Sequence, residues 1–257
     1  MHINWFKIYA IGIIFFLFLP LVLIVLFSFN SNRLSVFPLT GITLDWYQEV
    51  INNNIFLQGF KNSTIIAVCA SIGATLLGTL GAYGLTRFRI RAGGLLLGFL
   101  TLPILIPGLV FGIGLLSYFT LLNMRLSLLT VILAHICFSM PYVILIMNSR
   151  FCNFDWAIEE AARDLGAGGW DRFRLILFPL IRPSLLGSIL LVFALSFDEF
   201  IVTYFVIGNQ STLPMIIWSI LRRGVDPSLN AVSTILLLIS AFLLFLALRV
   251  FKVRLEL

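Results

Sequence analysis

The sequence predicts an all-α membrane protein with six transmembrane helices. Three observations predict it. Hydrophobic residues make up 60% of the 257 residues and charged ones only 11%, whereas a soluble chain carries about 25% charged residues. Mean hydropathy is +1.08. The apolar residues gather into six segments near the ~20 residues that a helix needs to cross the hydrocarbon core. A pI near 9.6 would suit nucleic-acid binding if the basic residues shared a face. Here they sit between the apolar segments, which is a pattern of membrane orientation.

The first segment covers residues 8–29 and contains Pro20. It outlasts the ~7–15 apolar residues of a signal-peptide core, and no A-x-A site follows, so it is expected to stay as a transmembrane helix. The second covers 63–86. In it Ala70, Ala74, Gly78 and Ala82 recur every fourth position, a small-residue stripe that lets another helix approach closely, with packing inside this chain the favoured reading. The third covers 93–122 with Pro103 and Pro107, and the fourth 126–147 with His135 and Pro141. Interior prolines predict kinks. His135 is read as a hydrogen-bonded packing residue. The fifth covers 185–207 and the sixth 231–250. Residues 44–60 and 212–224 mix aromatic, aliphatic and polar residues, and predict helices at the outer interface. Cys69, Cys137 and Cys152 show no metal or CxxC spacing and are expected to be small core side chains.

Six spans put both termini on one side, and the basic residues choose it. Lys7, Arg87, Arg89, Arg91, Arg150, Arg163, Arg172, Arg174, Arg182, Arg249, Lys252 and Arg254 fall on the side of the termini. Arg33, Lys61, Arg125, Arg222 and Arg223 fall on the other. The excess places both termini, and the loop 150–184, in the cytoplasm.

That loop concentrates carboxylates, arginines, glycines and prolines in "EEAARDLGAGGWDRFRLILFPLIRP". Glu159, Glu160, Ala161, Ala162 and Arg163 favour helix, with Asp155 as N-cap. Gly166, Gly168 and Gly169 end it. A second short helix starts near Trp170 and is broken by Pro179 and Pro183 before the fifth span. The result is a compact knob. The fifth span carries Asp198 and Glu199 in "LSFDEFIVTYF". A charge at mid-bilayer costs about 2.5–3.5 kcal/mol, so ionisable residues there are functional candidates. At about 100° per residue, Glu199 shares a face with Ser188, Ser196 and Thr203, read as the wall of a wet pathway. Asp198 falls on another face, with Gly187 and Ala194. Two acids attract cations, and the nearby Tyr204 offers an aromatic face.

Glu160-Ala161-Ala162, three residues, Gly166, nine residues, Ile176, one residue, then Phe178-Pro179 resembles the EAA loop of ABC importer permeases. That family usually has Leu where Phe178 stands. "SFDEFIVTYFVIG", "TLPMIIWSILRRGVDPSLNAVSTILLL", "FSFNSNR" and "WYQEVINNN" make the whole chain similar to spermidine/putrescine permeases, in particular to the second of their two permease subunits. Those often carry two aspartates where this chain has Asp198-Glu199. The resemblance implies a single permease domain over residues 1–257, with the type I ABC importer permease fold, in the bacterial inner membrane. It implies ATPase coupling through Glu159, Glu160, Ala161, Ala162, Gly166, Ile176 and Pro179, and a substrate pathway along Glu199, Asp198, Tyr204, Thr203 and Ser196. The implied partners are a second homologous permease, two ABC ATPase subunits, an extracytoplasmic polyamine-binding protein, the polyamine and membrane lipid, with no nucleic acid. The chain has no GxxxxGK[ST] loop, so ATP acts through the separate ATPase. No catalytic residue, metal or bound cofactor is expected, and the chain is not read as an enzyme. Two alternatives stand beside this reading: an ABC permease for another solute such as iron, thiamine or an anion, and an ion-coupled secondary transporter with Asp198 and Glu199 as its relay. Acids in the pathway count against an anion. The absence of an inverted repeat counts against the secondary transporter.

Overall fold

A computed structural model describes residues 5–33, 36–88, 90, 92–224 and 227–251. Arg89, Arg91, Lys252 and Arg254, which contribute to the orientation argument, lie outside the described residues. Among those described, the chain is helical, and its one strand-like pairing is an isolated bridge between Asn30 and Ile42. It folds as two compact units, one from residues 1–58 and 216–257, the other from 59–215.

In the first unit, α1 (Trp5–Ser28) and α12 (Pro227–Phe251) pack together, and α2 (Asp45–Asn52) packs on α12. The turn between α1 and α2 is fixed by polar groups. The Ser28 hydroxyl donates to the Val25 carbonyl at 2.7 Å and lies 2.6 Å from the Tyr47 hydroxyl, and the Trp46 indole donates to the Asn30 carbonyl at 2.8 Å. The outer helix expected over 44–60 is shorter than that. It ends at Asn52, because the Asn53 side chain accepts the Ile55 N–H at 2.9 Å and so caps a new helix. That helix is α3, Asn54–Arg87. Its 34 residues extend about 51 Å at 1.5 Å per residue, well past the expected start of the second span.

The second unit contains most of α3, then α4 (Gly93–Thr101), a 3₁₀ turn (Leu102–Leu105), α5 (Gly108–Leu121) and α6 (Leu128–Cys152). The small-residue stripe packs inside this unit: Ala70, Ala74 and Ala82 are fully buried. A Cβ on Gly78 would stand 2.7 Å from Val143 Cβ, so α3 and α6 meet there backbone to side chain. The third segment is not a kinked rod. Its two helical pieces meet at 101°, at the turn between Pro103 and Pro107. With α1, α3, α6 and the continuous helix Gly169–Phe197, this bent pair makes five apolar units with spanning length; α12, 25 residues long, is the sixth expected segment.

Two expectations fail here. Cys69, Cys137 and Cys152 are exposed rather than in the core, because each span in a bundle also turns an apolar face outward. The fifth segment starts earlier than expected. Pro179 and Pro183 do not break it. Pro179 follows directly on the π-helical turn Phe173–Leu177, which already departs from the α-helical hydrogen-bond ladder, and Pro183 is accommodated inside α9 (Phe178–Phe197). The Arg150 guanidinium donates to the Leu180 carbonyl in the proline-opened turn, at 2.7 and 3.1 Å.

Candidate functional site

Two parts of the second unit carry the chemistry. The first is the charged knob, α7 (Trp156–Asp164) followed by α8 (Gly169–Arg172) and a π-helical turn (Phe173–Leu177) that leads into α9. Asp155 caps α7, its carboxylate accepting the Ala157 N–H at 3.0 Å. The other end closes as a Schellman turn. Gly166 N–H donates to the Arg163 carbonyl and Ala167 N–H to the Ala162 carbonyl, both at 3.0 Å. Gly166 has φ +85°, a conformation that costs a side-chain-bearing residue roughly 1–2 kcal/mol.

The knob is anchored on one face. Trp156 packs against Phe154 at 4.7 Å, Tyr83 at 6.0 Å and Phe151 at 6.3 Å between ring centroids. One turn later, Glu159 lies between Arg87 (Nε to Oε2, 3.4 Å) and Arg172 (Nη1 to Oε1, 3.2 Å). The Arg87 guanidinium also stands over the Trp156 ring at 4.9 Å. Adjacent acids therefore differ: the Glu159 side chain is 12% exposed and that of Glu160 56%. Ala161, Gly166 and Pro179 are exposed and Ala162 half-buried. Ile176 packs against the buried cluster of Val143, Met147, Phe151 and Leu177, so it faces this chain's own core.

The second part is the acid-bearing stretch. The fifth span is not one helix through residue 207. It stops at Phe197, and α10 (Ile201–Val206) starts after a three-residue break at Asp198, Glu199 and Phe200. Local chemistry makes the break. Glu199 Oε1 accepts the Val202 N–H at 2.9 Å, a side-chain cap that replaces a backbone acceptor. The Thr203 hydroxyl donates to the Glu199 carbonyl at 2.9 Å. Asp198 and Tyr204 are exposed and Glu199 half-buried. The Tyr204 ring leans on Phe200 at 5.8 Å and meets Phe205 edge-on at 5.7 Å.

The expected wet wall of Ser188, Ser196 and Thr203 is corrected by this geometry. All three are buried. Ser196 and Thr203 grip His135 of α6: His135 Nδ1 lies 2.7 Å from Ser196 Oγ, and Nε2 lies 2.9 Å from Thr203 Oγ1. With the one Thr203 hydroxyl proton on the Glu199 carbonyl, Thr203 accepts from Nε2–H and Ser196 donates to Nδ1; the opposite tautomer reverses both roles. In either case His135 bridges α6 to both sides of the break. Thr130 adds a second tie, its hydroxyl lying 2.7 Å from both the Val206 and the Ser127 carbonyls and sharing one proton between them. The sequence pointed to a packing histidine but gave no sign of its two partners, which only the break brings to its two ring nitrogens.

Apolar helices of spanning length, one interrupted at paired acids, with a capped and anchored knob between two of them, define a multi-pass membrane transport component. The chain belongs to the family of binding-protein-dependent transport system inner membrane components, which matches residues 74–256. PotC of Escherichia coli K12, a spermidine/putrescine transport system permease protein, is 37% identical over 226 residues, covering 88% of this chain and 85% of the relative. PotI of the same organism, a putrescine transport system permease protein, is 36% identical over 230 residues, covering 86% and 82%. PotC of Haemophilus influenzae is 34% identical and covers 90% of both chains. Among solved structures, a bacterial ABC transporter involved in the import of the acidic polysaccharide alginate aligns with TM-score 0.71 and 16% identity over 100% of this chain and 99% of that one. The MetNI methionine ABC transporter in an inward-facing conformation aligns with TM-score 0.63 and 15% identity, over 77% and 95%. These two structures bear on the fold alone.

Proposed function

We propose that this chain is the membrane-spanning permease subunit of an ATP-driven importer of polyamines, spermidine and putrescine, working by alternating access in the bacterial inner membrane. Asp198 and Glu199 carry the reading: both carboxylates sit at a break in an apolar span, where backbone and side-chain oxygens are presented to a passing ligand rather than sealed in a helix. A dication or larger polyamine needs that negative charge, and the exposed Tyr204 ring offers a face for an ammonium group. Ser196 and Thr203 act behind them by holding His135 and the break. The likeness to PotC and PotI supports the substrate class.

Both units belong to one permease domain with both termini in the cytoplasm. The knob within 150–184 is the contact for a separate ATPase. Glu160, Ala161, Ala162 and Gly166 present its free face, and Pro179 stands at the base of the span behind it. Glu159 and Ile176 hold the knob from within. The assembly contains a second homologous permease, two ATPase subunits and an extracytoplasmic polyamine-binding protein.

Uptake of radiolabelled spermidine into proteoliposomes holding that assembly tests the reading. The double variant Asp198→Asn/Glu199→Gln is expected to lower uptake about tenfold or more, since a hydrogen bond to a charged group contributes about 1.5–3 kcal/mol. Undiminished uptake by the double variant, or uptake that needs an ion gradient and no ATP, overturns it.

A further inference from the structure

We propose that Arg87, the last residue of α3, is a positioning residue that ties the knob to the transmembrane helices through Glu159. Displacement of the knob is then passed to α3 instead of being absorbed by the loop. This inference rests on reading the knob as the ATPase contact.

Three interactions converge on one guanidinium. Its Cζ stands over the Trp156 ring, 4.9 Å from the centroid, its Nε is 3.4 Å from Glu159 Oε2, and its Nη1 is 4.0 Å from Glu160 Oε1. Glu159 then hands the tie onward, since its other oxygen accepts from Arg172 Nη1 at 3.2 Å. The end of α3, distant in sequence, thus meets the middle of α7 and the end of α8 at one carboxylate. Trp156 and Glu159 are three residues apart, hence on one helical face, and that face is turned to α3.

The remainder of α7 has little else to hold it. No residue of α7 is fully buried. A solvated loop with that exposure would turn about its ends without moving a helix. A guanidinium held over an anchored indole and beside two carboxylates has few rotamers left. The knob therefore cannot shift against α3 without losing the ring contact and the ion pairs together. Because Arg87 belongs to α3, its load falls on the helix whose small-residue stripe is locked to α6 at Gly78 and Val143.

The test uses the complete reconstituted complex and three readouts: copurification of the ATPase, ATP hydrolysis stimulated by the loaded binding protein, and spermidine moved per ATP. Arg87→Glu is expected to keep the ATPase bound while transport per ATP falls about tenfold, within the ordinary range of coupling between distant sites. Arg87→Lys, which keeps a cation beside Glu159 without disturbing Arg172, is expected to lose less than half as much. A wild-type ratio in Arg87→Glu, or an Arg87→Lys variant as impaired as Arg87→Glu, overturns the proposal. If Arg87→Glu fails to assemble, Arg87→Gln, which keeps the stem over Trp156, carries the test: a lowered ratio supports the tie and an unchanged ratio overturns it. Glu160→Lys separates the underlying reading. If it leaves ATPase binding and coupling intact, the knob is not the ATPase contact, whatever Arg87 does.

Discussion

At the knob end of the fifth span, the side chains that fix the geometry are charged: Glu159 between Arg87 and Arg172, with an indole beneath. At its far end none of them is. His135, Ser196, Thr203 and Thr130 hold the break through neutral hydrogen bonds, and all four are buried. The surroundings account for the difference. At the knob the Glu159 carboxylate is nearly buried, and its two guanidinium partners, which keep part of their exposure, offset its desolvation. Within an apolar span, a charge costs several kcal/mol and a neutral imidazole serving two hydroxyls does not. Of the two carboxylates at the break, Asp198 is exposed, whereas Glu199 helps to shape it with one oxygen capping the Val202 N–H. The ties from the break to α6 are left to neutral side chains.

The strongest way to break this comparison is at His135. His135→Leu removes both bridging hydrogen bonds and leaves two buried hydroxyls without that partner. It is expected to destabilise the permease by about 1–3 kcal/mol, by an amount that does not change between low and high salt. Thermal unfolding in detergent at two ionic strengths measures it. A loss that shrinks in salt would mean that the imidazole carries charge after all. A smaller effect is expected at the knob. Glu159→Gln keeps the shape and removes the ion pairs, at about 0.2–1 kcal/mol in low salt and progressively less as the Debye length shortens. A salt-independent loss at Glu159 would erase the contrast between the two regions.

How far each region could be read from the sequence follows the same division. The knob's local devices were legible, because they depend on neighbours in the chain. Asp155 precedes the helix it caps, and Gly166 follows the helix it ends. What escaped is the tie to Arg87, since an arginine at the end of one span carries no mark of its partner in a distant loop. The break was less legible. Helical phase correctly grouped Ser188, Ser196 and Thr203, and that face is buried rather than wet because His135 from α6 fills it. The same phase argument assumed an unbroken helix, and the Glu199 side chain, competing for a backbone N–H, removed that assumption. Pro103 and Pro107 announced a bend but not its 101°. Pro179 and Pro183 announced a break, but the helix runs through both, with the Arg150 guanidinium bonded to the Leu180 carbonyl between them.

The smallest expected effect sharpens the description of the break most, because it reads the proton positions. In the arrangement above, Ser196 donates to Nδ1, and Thr203 accepts from Nε2–H while donating to the Glu199 carbonyl. Ser196→Ala therefore strands one acceptor lone pair, which the remaining interactions tolerate. The loss should be near the ~0.6 kcal/mol typical of a hydrogen bond between membrane helices. Thr203→Val, almost the same shape, strands a buried N–H donor and a carbonyl together, so its loss should exceed that of Ser196→Ala by about 1 kcal/mol or more. Comparing the unfolding of the two variants gives the sign of that difference. If Ser196→Ala proved the more damaging, the proton would sit on Nδ1. Thr203 would then spend its hydroxyl on His135, the Glu199 carbonyl would lose its donor, and the carboxylates at the break would be positioned by the Val202 N–H alone.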